Sequence, residues 1–542
     1  MTRARALALL ILLAALASVI GPAAPASATV YVPISGAGST WSQNALDQWR
    51  RNVNQYGMQI NYQGTGSSDG RNQFRNGTID FGVTEIPYGL KDGGVYDSPP
   101  SRGYAYMPIV AGGTSFMYNL KIGGRRVTNL RLSGLNVAKI FTGVITRWDD
   151  PALKADNPGL ALPARRIVPV VRSDGSGTTA QLTTWLSKRY QSLWDPYCAK
   201  AGRPTPCGIT SNYPLVPGSG FTAQSGSLGV SGYVAQSQSE GAITYVEYSY
   251  AVNTGFPIAK LLNKAGYYVE PTASNVAVAL LKATIQDRDP KAPDYLTQNL
   301  EGVYDNADAR AYPLSSYSYM IVPTKVEGSF SEAKGKTLGA FAYYFLCEGQ
   351  QQAPILGYSP LPINLVKAGL QQVKRIPGVA VESVDITKCD NPTFSSDGSN
   401  TLAKSAPQPP ACDKQGAAQC STGTGGAKQG TRPSAGNGSG QPRLGSGGTT
   451  ATGSGGVGSS GPVSVVGGSI SGATTGGTDP DTGAAPQAAA AGGDVAAVPL
   501  TLAAQRSSGR GLAAVAGVLL LAVVVGPPLL ARRLALRNGS RA

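Results

Sequence analysis

The sequence predicts an α/β protein of two lobes with a ligand held in the crevice between them. Two Gly/Ser/Thr loops, Gly-Ala-Gly-Ser-Thr-Trp at 36–41 and Arg-Ser-Asp-Gly-Ser-Gly-Thr-Thr at 172–179, each follow an apolar extended run and open a helical pattern. Strand-like and helix-like stretches alternate around both loops, the pattern of a parallel sheet with crossover helices. Globular composition, with all five tryptophans, runs from 29 to about 390, long enough for two such lobes.

Each element has a local reason. Thr40 stands where an N-cap would, and Trp41, Ala45, Leu46, Trp49, Val53 and Tyr56 recur at helical spacing until Gly57 ends the helix. A strand is expected at Gln59–Gln63, then the loop Gly64–Gly70, a short helix, and a strand Ile79–Thr84 ending at Glu85. The second unit repeats the grammar: a strand Ile167–Val171 runs into the loop at 172–177, followed by a helix with Leu182, Trp185 and Leu186 on one face. In open α/β sheets ligands bind beyond the carboxyl ends of strands, where helix N-termini present unpaired N–H groups at the positive end of the dipole. Two such loops suit one clamped oxyanion.

The ends of the chain are not part of this fold. Residues 1–28 carry Arg3 and Arg5, an apolar run from Ala6 to Ile20 and Ala26-Ser27-Ala28, the pattern of a secretory signal, so the mature chain is expected to start near Thr29. No cysteine lies near that junction for lipid attachment. Gly511–Ala531 is an uncharged run of 21 residues containing Pro527 and Pro528, long enough to span a bilayer as one transmembrane helix. Arg532, Arg533, Arg537 and Arg541 follow it, which places a basic tail, 532–542, in the cytoplasm and the body of the protein outside, at the cell surface. Between 391 and 510 the composition turns to Gly, Ser, Thr, Ala and Pro, and a disordered tether is expected, with an r.m.s. span on the order of 60 Å.

Charge and composition exclude several functions. The formal net charge is +15, but two charges lie in 1–28, four beyond 511 and a net two in 391–510, which leaves +7 on 29–390 with no dense Lys/Arg run. Nucleic acid is therefore not an expected partner. The chain has no histidine, which removes Ser-His-Asp and Cys-His catalysis and most zinc sites, so neither a metal nor a cofactor is expected. Six cysteines in an exported chain favour disulfides. Proximity pairs Cys198 with Cys207 and Cys412 with Cys420, leaving Cys347 with Cys389.

Neither loop has the spacing of a P-loop or a dinucleotide fingerprint. What remains is a donor set: hydroxyls of Thr40, Ser67, Ser176, Thr178 and Thr179, the amides after Gly175, and one cation, Arg172, able to contact a tetrahedral oxyanion with two N–H groups. Each has an ordinary alternative. Thr40 and Ser176 would serve as helix caps, Gly38 and Gly177 as turn residues, and Arg172 as a surface partner of Asp174. Tyr245, Tyr248 and Tyr250 read as packing, and Trp148 as the anchor of the turn at Asp149-Asp150-Pro151.

The set as a whole resembles the phosphate-binding proteins of phosphate ABC transporters, the PstS type. Over 29–390 the matching stretches are Ser-Gly-Ala-Gly-Ser-Thr-Trp at 35–41, Asn-Tyr-Gln-Gly-Thr-Gly-Ser-Ser at 61–68, Ile-Asp-Phe-Gly at 79–82, Arg-Trp-Asp-Asp-Pro at 147–151, the loop at 172–179, and Gly-Ala-Ile-Thr-Tyr-Val-Glu-Tyr at 241–248. The resemblance implies a class II periplasmic-binding-protein fold, monomeric, closing on dehydrated phosphate and delivering it to a membrane permease without turnover. It implies lobe I at about 29–108 and 314–390 and lobe II at about 109–313, with crossings near Tyr106–Ala111 and Ala311–Ile321. It assigns phosphate contacts to Thr40, the amide of Trp41, Ser67, Arg172, Ser176, Gly177 and Thr178, with Asp174 orienting the arginine. Two positions depart from the family. Asp69 stands where glycine is usual, and Glu85 stands where an aspartate accepts the proton that phosphate carries and sulfate lacks. A glutamate there would still accept after a small shift, or point away as an exposed acid. The competing readings are a surface interaction or sensory protein on the same scaffold, a binder of another oxyanion, and, least favoured, a phosphate-ester hydrolase.

Overall fold

A computed structural model describes residues 30–428 except 290, 291, 293, 296, 382–385, 387, 388, 390 and 396–398. The expected signal (1–28), the transmembrane helix (511–531) and the basic tail lie outside the described residues. Among the described residues no helix is long and apolar enough to cross a membrane.

The first unit runs β1 (Ile34–Gly38), α1 (Gln43–Asn54), β2 (Ile60–Gln63), α2 (Ser67–Arg75) and β3 (Phe81–Thr84). β1 pairs in parallel with both β2 and β3, as the β-α-β grammar requires. Ala45, Leu46, Trp49 and Val53 form the buried face of α1. The helix starts later than expected: its N-cap is Ser42, whose side chain makes no capping bond and instead pairs with Ser318 Oγ at 3.2 Å, so Thr40 is not its cap. It also stops at Asn54, leaving Tyr56 half exposed beyond its end.

A 15-residue strand, β4 (Tyr104–Tyr118), is buried along almost its whole length and joins the two halves of the sheet. The second unit contains β5 (Val168–Arg172), α3 (Gly177–Arg189), β6 (Thr222–Gln224), α4 (Gly226–Ala235), β7 (Ala242–Glu247) and β8 (Ile258–Leu262). β9 (Ser315–Pro323) returns to the first half. The main path of the sheet is β6-β5-β7-β4-β9-β3-β1-β2, with β8 attached to β4. β4 pairs with β9 over Tyr104–Gly113 and with β7 over Thr114–Tyr118, so one strand passes from one half to the other. The strands Phe81–Thr84 and Ala242–Glu247 are buried throughout, as expected of strands covered on both faces. Helices α5 (Glu332–Leu346) and α6 (Ile363–Val373) pack behind the first half, with Phe345 stacked on Trp49.

The cysteines pair 198–207, 347–389 and 412–420, as proximity suggested. Cys347 caps the end of α5, and its bond closes a loop with a sequence separation of 42. Serine at both Cys347 and Cys389 is expected to destabilise the domain by about 3 kcal/mol, because the unfolded chain regains that loop's freedom. Scanning calorimetry without reductant should show a lower Tm, and an unchanged Tm would assign the bond no structural weight.

The folded part extends past the boundary expected at 390. Residues 399–428 lie on the second half of the sheet instead of beginning a tether. Asn129 Nδ2 donates to Cys420 O at 2.8 Å, Arg131 Nη1 to Ala417 O at 2.8 Å, and Ile258 N to Thr424 Oγ1 at 3.1 Å. Asp413 forms ion pairs with Lys260 and with the buried Arg131. Glycine-rich composition prevents a segment from building its own core. It does not prevent it from bonding its backbone to a core already built, here stapled by Cys412–Cys420.

Candidate functional site

Three helix N-termini meet at one cleft. α2 starts at Ser67, α3 at Gly177 and α4 at Gly226, each at the end of a loop leaving the sheet. The third was not anticipated.

Arg172, 3% exposed, ends β5. Its Nε donates to Asp174 Oδ1 at 2.7 Å, its Nη2 donates to Asp174 Oδ2, and its Nη1 reaches Ser227 Oγ at 3.3 Å. Asp174 also accepts from Gly226 N at 2.9 Å. Burial pushes the Asp174 carboxyl up, but the hydrogen bonds and charge of Arg172, with the Gly226 amide, outweigh it and hold the group below the ordinary carboxylate range. Arg172 is buried and Asp174 only partly exposed, so this is not the surface bridge of the ordinary reading, and it fixes the plane of the guanidinium.

Thr40, freed from capping, pairs its Oγ1 with Ser227 Oγ at 2.8 Å and accepts from Ser227 N at 3.1 Å. Ser176 does cap α3, accepting from Thr179 N at 3.1 Å. Thr178 Oγ1 is buried and has no hydrogen-bond partner among the described residues. A buried hydroxyl of this kind is costly unless something else bonds to it. The Trp41 amide donates to Ser39 Oγ at 2.9 Å, and the Gly177 amide to Ser67 Oγ at 3.0 Å. Thus every residue assigned by the resemblance lies in this one cleft.

Glu85 does not point away. It is 1% exposed, and its Oε2 accepts from Ser39 Oγ at 2.7 Å and Ser67 Oγ at 2.9 Å, while Oε1 accepts from Ser318 Oγ at 2.6 Å. Burial pushes its carboxyl up; the hydroxyls of Ser318, Ser39 and Ser67 and the charge of Arg172 oppose this only in part. Asp69 is exposed in the first turn of α2, where a negative charge suits the helix dipole.

Residues 23–348 match the model of the PBP superfamily domain. The phosphate-binding protein PstS of Xylella fastidiosa Temecula1 is 35% identical over 344 residues, 63% of this chain and 85% of the relative. The chain belongs to the PstS-type family of binding proteins. A second PstS, from Methanocaldococcus jannaschii, is 31% identical, covering 62% of this chain and 85% of its own length. The mycobacterial relative PstS3 of Mycobacterium bovis BCG is 28% identical over 61% of this chain and 82% of its own length.

Within this PstS-type site, reasoning from sequence missed Ser39, Ser227 and Ser318. Ser227 had a signal, since Thr-Ala-Gln-Ser-Gly-Ser at 222–227 repeats the strand, small-residue loop and helix order of the other two loops. The tyrosines read as packing are buried in the core, and two of them also bond to residues of the site. Tyr245 OH accepts from Arg172 N at 3.1 Å and shares a hydrogen bond with Thr179 Oγ1 at 2.7 Å, and Tyr250 OH donates to Thr40 O. Burial pushes the Tyr245 phenol up to about 12, so it remains a neutral support at physiological pH. Trp148 stays outside the cleft and donates to Gly241 O at 3.1 Å, next to the turn it was expected to anchor.

A second buried carboxyl, Glu247, lies beside Trp41, where a Cβ on Gly112 would stand 2.9 Å from its Oε1 and 2.8 Å from the indole ring. Its Oε2 accepts from Ser249 N at 2.8 Å. Burial pushes this carboxyl well above 4.5, so the folded state holds the proton after the unfolded chain has released it. Its stabilising contribution is therefore present below pH 4.5 and is lost as pH rises through the folded value. Glu247→Gln is expected to raise Tm at pH 8 and to change it little at pH 4, as measured by calorimetry across that range. A deficit in the variant that is the same at both pH values would contradict this.

Proposed function

We propose that the protein is an extracytoplasmic receptor for inorganic phosphate that hands its ligand to the permease of an ABC-type importer without chemical turnover. The carrying observation is the pairing of the buried Arg172 with Asp174, facing three helix N-termini beside the hydroxyl of Thr178, which has no partner among the described residues. A guanidinium held in plane by a carboxylate, surrounded by neutral hydroxyl and amide donors, suits a tetrahedral oxyanion that has shed its water. Thr40, Trp41, Ser67, Arg172, Ser176, Gly177 and Thr178 are the phosphate contacts in this reading, Asp174 orients the arginine, and the lobes divide near 108 and 314. The PstS relatives carry phosphate binding in their names. The secretory pattern at 1–28 and the apolar run at 511–531 support export and a C-terminal anchor, with the binding domain outside as a monomer. Cells lacking the protein should take up labelled phosphate more slowly at low supply, and reintroduction should restore uptake. Unchanged uptake, in a strain without a second receptor, would remove the transport role and favour a sensory one.

A further inference from the structure

The carboxylate of Glu85 sits against the first residue of α3. A Cβ on Gly177 would lie 1.9 Å from Glu85 Oε2 and 2.6 Å from Ser67 Oγ. The carboxyl therefore lies beside this helix N-terminus, where negative charge is favoured, and Glu85 is itself an anion when ionised.

The hydrogen bonds are arranged accordingly. The Gly177 amide of α3 donates to Ser67 Oγ, and Ser67 Oγ donates to Glu85 Oε2. The Trp41 amide donates to Ser39 Oγ, and Ser39 Oγ donates to the same Oε2. Two amides from opposite sides of the cleft are thereby relayed through serine hydroxyls to one carboxylate oxygen, while Ser318 holds the other oxygen. Three of the donors involved, the amides of Trp41 and Gly177 and the hydroxyl of Ser67, are ones that phosphate would use. Arg172 Nη1, with only a 3.3 Å contact to Ser227, and Thr178 Oγ1, with none, are not engaged by Glu85.

We propose that Glu85 is a built-in competitor, its carboxylate holding a hydroxyl of the oxyanion seat, so that phosphate must displace it from Ser67 to bind fully. This rests on the phosphate reading of the cleft. An acceptor for the ligand's proton needs only to touch the ligand's edge. One methylene more lets the carboxylate reach a donor itself, the Ser67 hydroxyl, so affinity is set by exchange of one oxyanion for another and not by filling an open site.

Two substitutions separate competitor from acceptor. Glu85→Ala removes the internal anion, and Ser318→Ala only loosens it. Calorimetric titration of phosphate into the full-length protein, stripped of phosphate and with folding checked by circular dichroism, should give a Kd about tenfold or more lower for Glu85→Ala. Ser318→Ala should lower it a few-fold, and it serves alone if Glu85→Ala does not fold. Wild type that binds while both variants bind more weakly would overturn the competitor role and leave the phosphate reading intact. Folded wild type and variants that all fail to bind phosphate would overturn both.

Discussion

Arg172→Ala is expected to weaken phosphate binding at least a hundredfold. Hydrogen bonds to a charged group contribute about 1.5–3 kcal/mol each, and Arg172 presents a guanidinium whose plane is already fixed, so more than one bond is lost. The substitution also leaves Asp174, only partly exposed and still accepting from Gly226 N, as an uncompensated negative charge facing an anion. Tenfold in Kd corresponds to about 1.4 kcal/mol, so a loss of about 3 kcal/mol exceeds a hundredfold. Arg172→Lys keeps the charge but not the fork that pairs with Asp174, and should fall between the two. Titration of all three proteins with phosphate checks this, and an affinity unchanged in Arg172→Ala would place the ligand elsewhere.

Gly70→Ala is expected to damage the fold and the site together. In α2 a Cβ at position 70 would stand 2.4 Å from Gly38 Cα and 2.6 Å from Ala37 O, both main-chain atoms of β1 that no rotamer can move. Gly38 is constrained from the other side: its φ is +140° and a Cβ there would lie 2.1 Å from Val83 O of β3. Helix and two strands thus approach at bare backbone, with Gly66 N donating to Gly38 O at 2.8 Å. That approach sets Ser67, at the start of α2, against Ser39, just after β1. Overpacking of this kind costs about 1–3 kcal/mol, and the helix must also back away from β1, carrying Ser67 with it. A Tm lower by about 3 °C or more and weaker phosphate binding are expected. Gly232→Ala in α4 is the control, since a Cβ there meets nothing within 4 Å, and it should be neutral or slightly stabilising. Equal effects of the two substitutions would contradict the backbone-contact argument.

The parts of this site that were legible in the sequence are those with a local cause. The loops at 36–41 and 172–179 are visible because a strand, small residues and a helical period follow one another within a dozen positions, and only a few folds make use of that order. β6 has three residues, too short to give a period, so the third helix N-terminus and Ser227 went unseen. Ser318 lies in Ser-Ser-Tyr-Ser-Tyr of β9, where serine reads as an ordinary strand residue, and its bond to Glu85 spans 233 positions. Thr40 looked like a cap because capping and ligand contact ask for the same hydroxyl, and only the start of α1 at Gln43 separates the two roles. Residues 399–428 read as tether because composition reports what a segment can bury by itself, not what it can bond to. The burial of Glu85 was open in the same way: one methylene fixes the reach of a side chain, and its surroundings decide the direction.

The central claim, that this cleft holds a protonated tetrahedral oxyanion, is tested most directly by calorimetry of the full-length protein, freed of bound phosphate, with phosphate and then sulfate. Heat with phosphate at one site per chain and none with sulfate is the expected result, because the Glu85 carboxylate, once displaced from Ser67, accepts from the ligand that still has a proton and repels the one that does not. Equal binding of both ions would deny Glu85 any part in selection, and silence with both in folded protein would contradict the phosphate-receptor reading.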